Sequence, residues 1–123
     1  MGYMAKKRIM VADDDPAILD VLSLVLRDAG YDVETTAGRD TEKHVHKYKP
    51  DVLLLDIWMA GRDGRDICKN LKNQKKSMNI PVIMISAHRD GERISQLAGA
   101  NDFISKPFEL SGLLAKVKAY AFA

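Results

Sequence analysis

The sequence predicts an α/β fold, a doubly wound five-stranded parallel sheet with helices on both faces, and three observations carry that prediction. Five short apolar runs are spread along the 123 residues. Helix-like stretches follow each of them. Three of the runs (MVA, VLLL and VIMI) are nearly continuous in apolar residues, the pattern of strands covered on both faces. Strands that alternate with helices imply right-handed crossovers, and these place helices on both sides of a parallel sheet.

The expected strands are RIMVA (8–12), YDVETT (31–36), DVLLLD (51–56), IPVIMIS (80–86) and DFIS (102–105). The first helix opens on Asp15 as N-cap with Pro16 in its first turn. Ile18, Leu19, Leu22, Val25 and Leu26 then recur at helical spacing, and Gly30 stops the run. The second stretch, RDTEKHVHKYK, is polar and only weakly amphipathic. The third, around 64–74, offers Ile67 and Leu71 one turn apart. The fourth, about 89–98, is short. The last, from Leu110 to about Phe122, places Leu110, Leu113, Leu114 and Val117 on one stripe.

Composition bounds the function without naming it. Hydrophobic residues make up 46% and charged residues 29%, an ordinary globular mix. No repeat, linker or composition break divides the chain, so one domain over 1–123 is expected, with its core at about 7–120. A net charge of +2 is too mild to call for nucleic acid or an anionic membrane as partner. No apolar run is long enough to span a bilayer, and MGYMAKKR carries no apolar stretch after its charges, so a cytoplasmic location is expected. The lone Cys68 reads as a small, half-buried helix residue rather than a reactive thiol. His44 and His46 sit two apart in a polar helix, facing different ways, and do not form a metal site. The basic run KNLKNQKK reads as a solvated helix end.

In a parallel α/β sheet the ligand lies beyond the carboxyl ends of the strands. Functional residues should therefore follow the strands directly. Asp13, Asp14 and Asp15 follow the first, Asp56 ends the third, Ser86 ends the fourth, and Lys106 and Pro107 follow the fifth. Taken singly, each has an ordinary role: Asp15 before Pro16 is a helix cap, and a lone strand-end Asp or Ser is commonly a turn residue. Taken together, they bring carboxylates, a hydroxyl and an ammonium to one edge. Crowded carboxylates repel, and a hard divalent cation such as Mg²⁺ relieves them because it prefers oxygen ligands. A carboxylate can accept a phosphoryl group, and a lysine and a hydroxyl can hold the phosphoryl oxygens. The set reads as a site for phosphoryl transfer onto carboxylate.

The segments RIMVADDDPAIL, DVLLLDIWMAGRDG, PVIMISA and FISKPF resemble, in order and over about Lys7 to Tyr120, the signatures of response-regulator receiver domains. That resemblance implies the flavodoxin-like strand order 2-1-3-4-5. It implies Asp56 as phosphoryl acceptor and metal ligand, Asp13 and Asp14 as the acidic pair that binds Mg²⁺ (or Mn²⁺), and the backbone carbonyl of Trp58 as a further ligand. Ser86 matches the hydroxyl that contacts the phosphoryl group, Lys106 the ammonium that pairs with it, and Lys106–Pro107 a cis peptide bond. Phe103 matches the aromatic switch residue that moves with Ser86, and Gly64 the glycine that turns the loop into the third helix. Trp58 and His88 match the two positions that tune dephosphorylation, and the bulk of Trp58 suggests a shield over the phosphoryl group.

The implied partners are a sensor histidine kinase or histidine phosphotransfer protein, a downstream target or output domain, and a second copy in a phosphorylation-dependent homodimer. The family's output surface is the fourth helix, fifth strand and fifth helix. Ala60 stands where the family usually has proline, which should loosen that loop without touching the chemistry. About two residues are missing between Ser86 and Lys106, in the region of the fourth helix. Two other classes compete. A small aspartyl-phosphate phosphatase of the haloacid-dehalogenase type would share Asp13, Asp15, Ser86 and Lys106, but Ala17 breaks its motif. A receiver-like interaction module that works without phosphorylation would not need so complete a site.

Overall fold

The computed structural model describes residues 5–123. Along it run β1 (Arg8–Ala12), α1 (Pro16–Asp28), β2 (Asp32–Thr36), α2 (Thr41–Tyr48), β3 (Val52–Asp56), β4 (Trp58–Met59), β5 (Arg62–Asp63), α3 (Gly64–Lys72), β6 (Val82–Ser86), α4 (Gly91–Leu97), β7 (Asp102–Ser105) and α5 (Leu110–Ala121). The five longer strands form one parallel sheet in the order β2-β1-β3-β6-β7. Counting only these strands, that is the flavodoxin-like order 2-1-3-4-5. The short β4 and β5 pair antiparallel as a separate hairpin. Strands of two residues leave no periodicity to read, so the sequence gives no warning of it.

Side-chain alternation on the central strands decides which helix lies on which face. Ile9, Val11, Val52, Leu54, Ile83 and Ile85 point to one side and pack with Leu22 and Leu26 of α1 and Leu113 and Val117 of α5. Met10, Ala12, Leu53, Leu55, Val82 and Met84 point to the other and meet Val45 of α2 and Ile67, Cys68 and Leu71 of α3, with Ile94 of α4 beside them. Both faces are covered, which is why β3 and β6 are buried at every position.

Register then aligns the carboxyl ends. Ala12 of β1 stands beside Leu55 of β3, so the next residues, Asp13 and Asp56, are neighbours. Ser86 pairs with Ser105 on β7, so Lys106 comes immediately past it. The site is assembled by strand register alone.

Three local expectations need correcting. Leu110 is exposed rather than part of the apolar stripe of α5, because it opens the helix beyond the edge of the core; Leu113 and Val117 carry the stripe. Cys68 is wholly buried rather than half-buried, and that burial pushes its thiol pKa up. The basic run is not uniformly solvated. Lys72 is half-buried, and its ammonium donates to the carbonyls of Met78 and Ile80 and to Oδ1 of Asn101, tying the end of α3 to the start of β6 and β7. Burial in turn lowers its pKa. The expected second helix, α2, does form despite its polar sequence. Val45 and Thr41 bury, Lys49 caps its end in the left-handed region, and Glu42 is fastened by Arg62 and Asn70 from elsewhere in the chain. No helix is long and apolar enough to cross a membrane among the described residues.

Candidate functional site

The first acidic segment divides its labour. Asp15 caps α1, its Oδ1 accepting the N–H of Ala17 at 2.9 Å. Asp13 is buried; its Oδ1 accepts the N–H of Asp15 at 2.9 Å and its Oδ2 accepts from the Lys106 ammonium at 3.1 Å. Asp14 is exposed, and its Oδ2 accepts the N–H of Ala60 at 2.7 Å. That bond corrects the expectation for Ala60. The residue touches the acidic cluster directly, through an N–H that proline would lack, and the bond links the β4–β5 hairpin to Asp14.

Asp56 is only 6% exposed, and its Oδ1 lies 3.5 Å from the Lys106 ammonium. Carboxylate oxygens of Asp13, Asp14 and Asp56 all lie within 4.8 Å of one another. Burial pushes the Asp56 carboxyl up, the Asp13 charge pushes it further, and Lys106 pulls it partly back; the balance leaves it at about 6 against an ordinary 3.8. The cluster carries more negative charge than Lys106 can answer. A hard, oxygen-seeking divalent cation such as Mg²⁺ or Mn²⁺ fits that all-carboxylate donor set, with water completing its shell.

The remaining residues frame the cluster. Ser86 is buried at the end of β6, its Oγ accepts the N–H of His88 at 3.0 Å, and its carbonyl accepts the N–H of Lys106 at 2.9 Å. The peptide bond between Lys106 and Pro107 is cis. Gly64 opens α3 directly against β3: a Cβ there would collide with the carbonyl oxygen of Asp56 and the Cα of Ile57, so only glycine lets the helix start this close to the end of that strand. Trp58 opens β4 just past β3 and His88 stands on the loop after β6, their ring centroids 6.2 Å apart.

Phe103 does not join the cluster. It is half-buried on β7, with its ring against Gly91 at the start of α4, where an added Cβ would come within 2.5 Å of the ring. Two residues that the sequence did not mark lie against residues that it did. One is Gly91, the seat of the Phe103 ring. The other is Arg65, whose guanidinium lies 4.6 Å from the Trp58 ring centroid. A GE or GR pair on a helix gives no sign of such contacts, because both depend on what the fold brings alongside.

Comparison with known proteins accords with this geometry. The profile of the response regulator receiver domain matches residues 9–118. A protein assigned as a response regulator in Chloroflexus aurantiacus J-10-fl superposes with a TM-score of 0.91 at 30% identity, over 97% of this chain and 100% of its own. The chemotaxis protein CheY4 of Vibrio cholerae gives 0.86 at 28% identity, over 94% of this chain and 99% of its own. The BeF3-activated N-terminal receiver domain of Klebsiella pneumoniae RstA gives 0.86 at 26%, over 95% and 100%. The parallel sheet, the acidic cluster at its carboxyl edge and the match along nearly the whole chain agree, and the chain belongs to the response regulator receiver domain family, the signalling modules of two-component systems.

Proposed function

We propose that the chain, as one receiver unit, accepts a phosphoryl group on Asp56 from a histidine kinase or histidine phosphotransfer protein, in a reaction that depends on Mg²⁺ or Mn²⁺. The observation that carries this reading is the Asp13–Asp14–Asp56 cluster with the Lys106 ammonium reaching two of its members. Asp13, Asp14, Asp56 and the Trp58 carbonyl would hold the cation. Bound there, it would neutralise charge on the phosphoryl oxygens during transfer.

The chain's own residues supply the rest. A carboxylate oxygen of Asp56 attacks phosphorus as the N–P bond of the donor phosphohistidine breaks, and the bonding pair stays on the imidazole nitrogen. Lys106 pairs with a phosphoryl oxygen, and the Ser86 hydroxyl turns from the His88 N–H to donate to another. Those new contacts favour one of two conformations, and Phe103 moves with Ser86 as the switch. Trp58, with His88 beside it, shields the acyl phosphate from water. The only chemistry catalysed is the domain's own phosphorylation and dephosphorylation; the consequence is control of an output domain, a separate target or a homodimer, in the cytoplasm. The BeF3-activated state named for RstA supports this, since BeF3⁻ joined to a carboxylate oxygen takes the tetrahedral form of a phosphoryl group.

Intact mass after incubation with acetyl phosphate, with and without Mg²⁺, tests the proposal. One added phosphoryl group is expected only with Mg²⁺, and none in Asp56→Asn. No gain in folded wild-type protein would sink it and favour a phosphorylation-independent module.

A further inference from the structure

Trp58 is the only tryptophan in the chain, and it is 43% exposed, so the core does not hold its ring. Something else does. Its backbone pairs with Asp63 across the β4–β5 hairpin. The Asp63 carboxylate caps α3 by accepting the N–H of Arg65 at 2.9 Å. The same carboxylate clasps the Arg65 guanidinium, with Nε 3.1 Å from each oxygen and Nη2 2.6 Å from Oδ2. Held in that fork, the guanidinium stacks over the indole at 4.6 Å, while His88 meets the indole from the loop after β6. The planar, delocalised cation suits both contacts at once; a lysine would keep the charge and lose the fork and the stack.

We propose that Arg65, anchored by Asp63, is a positioning residue that fixes the Trp58 indole over the phosphorylation site and so sets the lifetime of the aspartyl phosphate. This rests on the reading of Trp58 as a shield. In the step it slows, a water oxygen bonds to phosphorus as the bond from phosphorus to the Asp56 oxygen breaks. The bonding pair returns to the carboxylate, and the water proton leaves with inorganic phosphate or solvent. Arg65 touches none of these atoms and acts only by restricting where the indole can go.

The test compares wild type, Trp58→Ala, Arg65→Ala, Arg65→Lys and the double variant Trp58→Ala/Arg65→Ala, each shown to be folded by circular dichroism. Each is phosphorylated with acetyl phosphate and Mg²⁺, freed of donor, and followed by intact mass as the phosphoryl group is lost. Fluorescence anisotropy of Trp58 in the unphosphorylated proteins reports directly on the hold. Arg65→Ala is expected to lose phosphate about threefold faster, the scale of one exposed cation–π contact, with lower anisotropy. Arg65→Lys should fall between, and Arg65→Ala should add nothing in the Trp58→Ala background. A lifetime unchanged by Arg65→Ala but shortened by Trp58→Ala overturns the role of Arg65 and leaves the shield standing. If neither single variant changes the lifetime, the shield itself fails. Equal acceleration by Arg65→Ala with and without Trp58 would mean direct action on the site, and would overturn positioning.

Discussion

Asp56→Asn should make the protein more stable at neutral pH, because the ionised Asp56 carboxylate is a burden on the fold. Its carboxyl is raised from 3.8 to about 6 by burial and by Asp13. At about 1.4 kcal/mol per unit, an ionised Asp56 costs the native state on the order of 3 kcal/mol. The folded pKa lies above the unfolded one, so the native state binds the extra proton between about 3.8 and 6. Stability therefore falls as pH rises through that window; the cost is complete above 6 and absent below 3.8. Asparagine copies the neutral acid in size and hydrogen bonding. It should raise stability by about 2 kcal/mol at pH 7.5, or roughly 5–10 °C in Tm for a domain of this size, and the gain should shrink through the window as pH falls. Urea unfolding at a series of pH values, without divalent ions, measures it. Adding Mg²⁺ should then stabilise wild type more than the variant, since an ion held by the native carboxylates would favour the folded state. A variant less stable than wild type at pH 7.5, or a gain that does not change between pH 7.5 and pH 4, would refute the electrostatic reasoning.

Two further perturbations probe the same balance. Lys106→Met removes the cation shared by Asp13 and Asp56; it should cost about 2–4 kcal/mol at neutral pH, by leaving buried carboxylates unpaired, and Mg²⁺ should restore more stability to it than to wild type in the same unfolding assay. Glu42 is raised by burial but held down to about 2 by hydrogen bonds from Arg62 and Asn70, so its contribution is present above its ordinary 4.5 and lost as pH falls from there toward 2. Glu42→Gln should cost about 1–2 kcal/mol at pH 7 once solvent screening of this partly exposed pair is allowed for, and its unfolding profile should be flatter than wild type across that acid range.

What the sequence made legible, and what it did not, follows the range of the interactions. The five main strands and their order of use were readable, because a strand covered on both faces announces itself in a run such as VLLL or VIMI. The edge where the chemistry gathers was readable for the same reason: once the strands are placed, Asp13, Asp56, Ser86 and Lys106 can only fall at their carboxyl ends. Contacts across the chain were not readable. Glu42 with Arg62, Lys72 with Asn101, and Arg65 with Trp58 each join segments whose local sequence is that of a solvated surface. The Ala60 N–H on Asp14 was invisible too, since a family difference read as the loss of a ring is, in three dimensions, the gain of a donor.

That asymmetry bears on how the acidic cluster is to be understood. Among the described residues no buried side-chain polar atom lacks a hydrogen-bond partner. Buried side-chain polar atoms are thus satisfied among the described residues, and what stands out at the carboxyl edge is charge rather than packing. Asp13, Asp14 and Asp56 against Lys106 give three negative charges to one positive, a formal excess of two. A region that keeps every local rule but one is where function is to be sought. An excess of two negative charges among hard oxygen donors is what one divalent cation balances. In the proposed transfer onto Asp56, which is buried and 3.5 Å from Lys106, the ammonium that now tempers the charge would already be in place for the oxygens that arrive.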